Sequence, residues 1–152
     1  MISKYEIFST VVSSLYHDIQ HIERTEMAKY GLKGPHAQCL VVMVRYPEGI
    51  TASQLCEVCE KDKAAISRTV AELEEAGLLI RPEKNGVRYR VPMHLTEAGY
   101  AAAEAVNAVA SRAVEQAGQG LDDAQRDVFY YVLGLIAQNL QTISRNGLKE
   151  KE

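Results

Sequence analysis

Residues Thr51–Thr96 read TASQLCEVCEKDKAAISRTVAELEEAGLLIRPEKNGVRYRVPMHLT. Thr51, with Gln54 three residues on, forms a capping box and starts a short helix. Asp62 caps a second helix, expected from Lys63 to about Ala76 and stopped by Gly77. Its apolar residues Ile66, Val70 and Leu73 recur at intervals of four and three. That spacing gives one face to a core and leaves Lys63, Ala64, Ser67 and Arg68 on the other. Leu78, Leu79 and Ile80 read as a strand, Lys84-Asn85-Gly86 as a hairpin turn, and Val87 to Met93 as the returning strand. Pro92 restricts that strand to an edge. Thr96 then caps a new helix. Two short helices, a basic hairpin and a further helix, in this order, spell a winged helix-turn-helix, which lays one helix in the major groove of DNA.

The flanks are helical. A first helix is expected from about Ser3 to Tyr30, with Ile7, Val11, Leu15, Ile19 and Ile22 along one face and Gly31 ending it. Pro35 suits the first position of a second helix, whose apolar run Cys39 to Val44 suggests burial on most sides; Pro47 and Gly49 terminate it. The alanine-rich helix after Thr96 ends near Gly118 and Gly120. Asp122 and Gln125 form another capping box for a last helix, with Val128, Val132, Leu135, Ile136, Leu140 and Ile143 on one face before Asn146-Gly147. The expected fold is mainly α with a small β-wing. One domain, 1–152, comprises a winged helix-turn-helix lobe at about 34–96, flanked by dimerisation helices at about 1–30 and 97–147. An amphipathic helix at a terminus buries its stripe against the core or against a second copy. Dimerisation is expected, because one module reads few base pairs while two read half-sites about one helical turn apart.

At 152 residues, 47% apolar and 24% charged, the composition is that of a globular domain. No apolar run approaches the roughly 18 residues of a membrane span, and no secretory leader is visible at the N-terminus. Three cysteines, an odd number, fit a reducing cytoplasm better than a disulfide framework. The net charge of −3 is unevenly spread: residues 1–60 carry −2, residues 61–90 carry +2, and residues 91–152 carry −3. The only positive third is the one holding the second helix of the motif and the wing. Local sign decides phosphate attraction, which salt screens beyond about 10 Å.

Several stretches together resemble the MarR family of bacterial regulators: Gln54-Leu55, Ile66-Ser67-Arg68, Leu73-Glu74-Glu75-Ala76-Gly77-Leu78-Leu79, Arg81, and Leu95-Thr96-Glu97-Ala98-Gly99. The resemblance covers nearly the whole chain, including its six-helix plan. It implies a homodimeric repressor of a near-palindromic operator in double-stranded DNA, released by a small phenolic or carboxylate effector. Such an effector, lodged between the dimerisation region and the winged core, would change the separation of the two recognition helices. The family's wing usually carries an Asp-x-Arg element. Here the stretch is Asn85-Gly86-Val87-Arg88-Tyr89-Arg90, without the acid, so either Arg88 or Arg90 is the candidate for a narrow minor groove. The turn before the recognition helix reads Glu60-Lys61, where a glycine is common.

The expected DNA-binding set is Thr51, Ser53, Lys63, Ala64, Ser67, Arg68, Arg81, Lys84, Arg88 and Arg90. Arg68 leads it, since a guanidinium matches both guanine and phosphate. Ala64 permits close approach or meets a thymine methyl. Thr51 and Ser53 offer hydroxyls and backbone N–H groups to a phosphate. The bland alternative for these residues is a solvated helix face. Cys56 and Cys59 form a C-x-x-C; core packing is the first reading, and a thiol- or metal-responsive sensor the competing one. A structural zinc site wants four ligands, and no second pair of suitable spacing exists. Cys39 is expected in the core. His17 and His21 share a helix face at i and i+4, a spacing compatible with a metal, with Glu23, Glu26 and His36 near in sequence as further possible ligands, but commoner as plain surface. His94 is given a local structural role. No hydrolase, P-loop or dinucleotide motif occurs, so neither an enzyme nor a cofactor is expected, and Asp122-Asp123 is explained by the helix dipole. A winged-helix module serving protein association without DNA is the remaining alternative.

Overall fold

In a computed structural model of the protein, residues 3–82 and 90–148 are described. The helices are α1 (Lys4–Met27), α2 (Gly34–Met43), α3 (Ala52–Cys59), α4 (Lys63–Glu75), α5 (Glu97–Ala117) and α6 (Asp123–Asn146); the strands are β1 (Leu79–Ile80) and β2 (His94–Leu95). The chain divides into two compact units, Met1–Ala113 and Val114–Glu152. The architecture is mainly helical with a small two-stranded antiparallel sheet.

Four of the helices, α1, α3, α4 and α6, begin where a side chain satisfies a free N–H group, whereas α2 starts after Lys33 with proline in its first turn and no side-chain cap. Ser3 and Glu6 make a reciprocal capping box for α1, as do Thr51 and Gln54 for α3 and Asp122 and Gln125 for α6. Asp62 Oδ1 accepts from the Ala65 N–H at 2.8 Å to start α4. α1 does not run to Tyr30 as a regular helix. Its end tightens into a 3-10 turn over Ala28–Tyr30 before Gly31 turns left-handed at φ 68.

In the first unit the core gathers around α2, which packs on α1, α3 and α4. Leu40, Met43, Ile50, Leu55, Ile66, Val70, Leu73, Leu79 and Met93 are fully buried there. The inward residues of α4 are the expected Ile66, Val70 and Leu73, joined by Thr69, whose hydroxyl donates to the Ala65 carbonyl at 3.0 Å. At the foot of the wing β1 pairs antiparallel with β2, Leu79 opposite Leu95 and Ile80 opposite His94. This corrects the expected return strand over Val87–Met93. Val87–Tyr89 lie outside the described residues, Arg90–Pro92 form a turn and bend, and among the described residues the return pairs first at the Met93–Ile50 bridge. Proline has no N–H to give a ladder, which fits the absence of pairing at Pro92. α5 then departs so close to the wing that a β-carbon at Gly99 would collide with the Leu78 carbonyl oxygen.

The apolar stripe of α1 stays largely uncovered within the chain: Ile7, Val11, Leu15 and Ile19 are all exposed. In the second unit α6 buries none of its residues, and Val128, Phe129, Val132, Leu135 and Leu140 all face solvent. Phe129 and Tyr130 stack edge to face at 5.3 Å.

Candidate nucleic-acid interface

The helix-turn-helix is assembled from α3, a tight turn, and α4. Leu55 and Cys59 face inward from α3, which leaves Ser53 exposed near its first turn. Thr51 is occupied locally. Its hydroxyl accepts from the Gln54 N–H at 3.3 Å and donates to Gln54 Oε1 at 3.0 Å, and its own N–H donates to Gln54 Oε1 at 2.9 Å. The turn that follows puts Glu60 in the left-handed region at φ 52, the conformation in which glycine is common. Asp62 then caps α4, its carboxylate accepting from the Ala65 N–H.

Lys63, Ala64, Ser67 and Arg68 are all exposed; Ala64, Ser67 and Arg68 turn away from Ile66, Val70 and Leu73, and Lys63 stands beside them at the first residue of α4. Residues spaced by one, three and four along a helix form one contiguous strip. Two cations, a hydroxyl and a methyl are therefore presented together. The wing contributes less that can be described: Lys84 and Arg88 lie outside the described residues, and Arg90 is exposed just beyond them. Arg81 sits differently from the open strip. Its side chain is only 14% exposed, its guanidinium is 3.8 Å from Glu74 on α4, and its buried Nε has no hydrogen-bond partner. Arg81 thus braces the strand end against the recognition helix in this structure.

His36, which the sequence groups with His17 and His21 as a possible metal ligand, is buried on α2. The Lys33 backbone N–H donates to His36 Nδ1 at 2.9 Å, so the ring proton is assigned to Nε2, which donates to Glu72 Oε2 at 2.5 Å. The start of α2 is thereby tied to the third turn of α4. No motif links residues so far apart, so nothing in the chain signalled the contact. Thr96 is a second tie: it accepts from the Gly99 N–H at 3.0 Å and donates to the Gly77 carbonyl at 2.7 Å, joining the end of α4 to the start of α5.

Of the cysteines, Cys39 and Cys59 are buried and Cys56 is partly so. His94 belongs to β2. His17 and His21 are exposed on α1. Among the described residues no group of three or more His, Cys, Asp or Glu side chains is placed to hold a metal ion, and no helix is long and apolar enough to cross a membrane.

Residues 30–88, which contain α2, α3, α4 and β1, match the profile of the MarR family. That segment is similar to the MarR family. The whole chain shares the fold of solved MarR structures. A MarR transcriptional regulator from Methanosarcina mazei Go1 superimposes with a TM-score of 0.82 at 23% identity, over 94% of each chain. A MarR protein from Peptoclostridium difficile gives 0.80 at 17% identity, over 93% of this chain and 94% of that one. The Staphylococcus aureus MarR solved in complex with salicylate and kanamycin gives 0.77 at 15% identity, over 91% and 96%. Comparison with curated protein sequences returns no match. The MarR-type lobe is therefore the part of the chain in which fold and family agree, and it is the part that carries the exposed strip of α4.

Proposed function

We propose that the protein is a sequence-specific DNA-binding transcriptional regulator that acts as a homodimeric repressor and is released by a small aromatic or carboxylate effector. The observation that carries this reading is the exposed strip Lys63-Ala64-Ser67-Arg68 on the second helix of a MarR-type helix-turn-helix. In it, two copies of α4 enter successive major grooves of a near-palindromic site. Arg68 forks onto a guanine edge or a phosphate, Lys63 neutralises phosphate, and Ser53 and the N-terminus of α3 contact the backbone. Arg88 or Arg90 reaches the flanking minor groove.

The dimer is supported by the uncovered apolar residues of α1 and of α6, which a single copy leaves in water. The effector class is supported by fold likeness to a protein solved with salicylate. An effector that changed the separation of the two recognition helices would prevent both half-sites from being met together.

The test is a salt titration of binding to the DNA upstream of the protein's own gene, with random DNA as control. Preferential binding with a steep negative salt slope is expected. Arg68→Ala should cost about 1–3 kcal/mol and relax discrimination at one position. Equal binding to both DNAs at low salt, together with a silent Arg68→Ala, would overturn the reading in favour of a protein-association module.

A further inference from the structure

The helix that carries the exposed strip, α4, buries Ile66, Thr69, Val70 and Leu73. Apolar burial chooses which face turns inward, but it is non-directional and sets the roll of a helix about its axis only loosely. Two polar contacts stand beside that buried stripe. Successive helical residues are turned by about 100°, which puts Glu72 on one flank of the stripe and Glu74 on the other, each roughly a quarter to a third of a turn from its middle. Glu72 accepts from His36 of α2 at 2.5 Å, and Glu74 lies 3.8 Å from the guanidinium of Arg81, just beyond β1. The helix is thus held on both sides, from α2 and from the foot of the wing.

The two holds are unequal. The Arg81–Glu74 contact is loose, and the buried Nε of Arg81 has no hydrogen-bond partner. The His36–Glu72 contact is short and its imidazole end is fixed. The ring is 3% exposed, and its Nδ1 accepts from the Lys33 N–H at 2.9 Å, at the start of a helix packed on α1, α3 and α4. The Glu72 side chain is 51% exposed, so burial does not hold it in place; the hydrogen bond does.

We propose that His36 is a positioning residue for sequence recognition: acting through Glu72, it fixes the roll of α4 and so determines how well the protein tells one DNA sequence from another. The part on DNA rests on the regulator reading above; the seating of α4 does not.

Magnitudes favour the tie as the setting of that roll. A helix with its side chains has a radius of about 5–6 Å, so a roll of about 20° shifts its surface by roughly 2 Å. A hydrogen bond does not survive such a shift, whereas an apolar stripe can stay covered through it. Arg68 turns with the rest of a rigid helix, so its fork would leave a base edge by the same distance. Base readout needs that alignment, while attraction to phosphate follows charge and tolerates displacement. Loss of the tie therefore acts on sequence preference and spares non-specific affinity.

The test measures, by fluorescence anisotropy, the affinity of the full-length protein for the DNA upstream of its own gene and for random DNA. It compares the natural protein with Glu72→Ala, Glu72→Asp and Glu72→Gln, each checked by thermal melting to be folded at the temperature used. Glutamine keeps the reach and the accepting oxygen without the charge; aspartate keeps the charge but is one methylene short. Methyl NMR of the free proteins follows Ile66, Val70 and Leu73. Glu72→Ala and Glu72→Asp should lower the preference for upstream over random DNA at least fivefold, leave the salt slope on random DNA unchanged, and shift the three methyl signals. Glu72→Gln should stay within twofold of the natural preference and keep the natural signals. It also controls for the lost negative charge, which by itself would strengthen binding to any sequence. An unchanged preference in Glu72→Ala, a glutamine variant as poor as alanine, an aspartate variant as good as the natural protein, or an equal loss on both DNAs would each overturn the proposal. If the natural protein shows no preference, the regulator reading fails, and the methyl signals of the free variants still decide whether His36 seats α4.

Discussion

Glu60 is the only non-glycine residue with positive φ among the described residues, at 52°. For an L-residue that region costs roughly 1–2 kcal/mol. Glu60→Gly should therefore stabilise the protein by up to about 1 kcal/mol, less than the full strain because glycine also frees the unfolded chain. Urea denaturation checks it; a lower midpoint would mean that the Glu60 side chain itself holds the turn. The position was visible in the sequence, since Glu60-Lys61 stands where a glycine is common. Ala64, Ser67 and Arg68 were equally visible, because helical period alone sets which residues oppose Ile66, Val70 and Leu73. Arg81 was not. Its setting depends on Glu74, and a basic residue after a strand gives no sign of an acid on the preceding helix. His36 and Glu72 illustrate the same limit, being partners 36 residues apart.

Among the elements, helix starts were the most legible feature, since a cap and the residue it serves lie within three positions. Asp62 matters most, because the turn it starts carries Lys63 and Ala64. Asp62→Ala should cost about 0.5–2 kcal/mol of stability, and Asp62→Asn much less, since asparagine still accepts the Ala65 N–H. Thermal melts of the two variants measure the difference; equal losses would show that the carboxylate charge, and not the cap, is what α4 needs. The second strand was misplaced for an equally physical reason. Alternating apolar residues suggested Val87–Met93, yet the pairing that survives is set by where Leu79 and Ile80 lie against Leu95 and His94. Thr96 shows both sides of the matter. Its cap to Gly99 follows from local spacing, whereas its bond to the Gly77 carbonyl requires α4 and β2 to have come together.

At the scale of the molecule, Leu15 on α1 and Tyr131 on α6 are 52% and 73% exposed within one chain. On the proposed reading these helices are covered by a second copy, and the protein should sediment as a dimer at micromolar concentration. Leu15→Asp combined with Leu140→Asp should give a monomer of unchanged helix content and much weaker operator binding, because two half-sites would no longer be held by one particle. A natural protein that sediments as a monomer would remove the dimer from the mechanism. By itself the sequence determined the order of elements, the caps, the inward face of α4 and the apolar stripes of α1 and α6. These depend on neighbours within about one helical turn, where backbone geometry leaves few choices. Only the tertiary structure decided that His36 reaches Glu72, that Arg81 turns to Glu74, and that Leu79 pairs with Leu95 and Ile80 with His94. Those contacts join distant parts of the chain, and packing alone brings such residues within reach of one another.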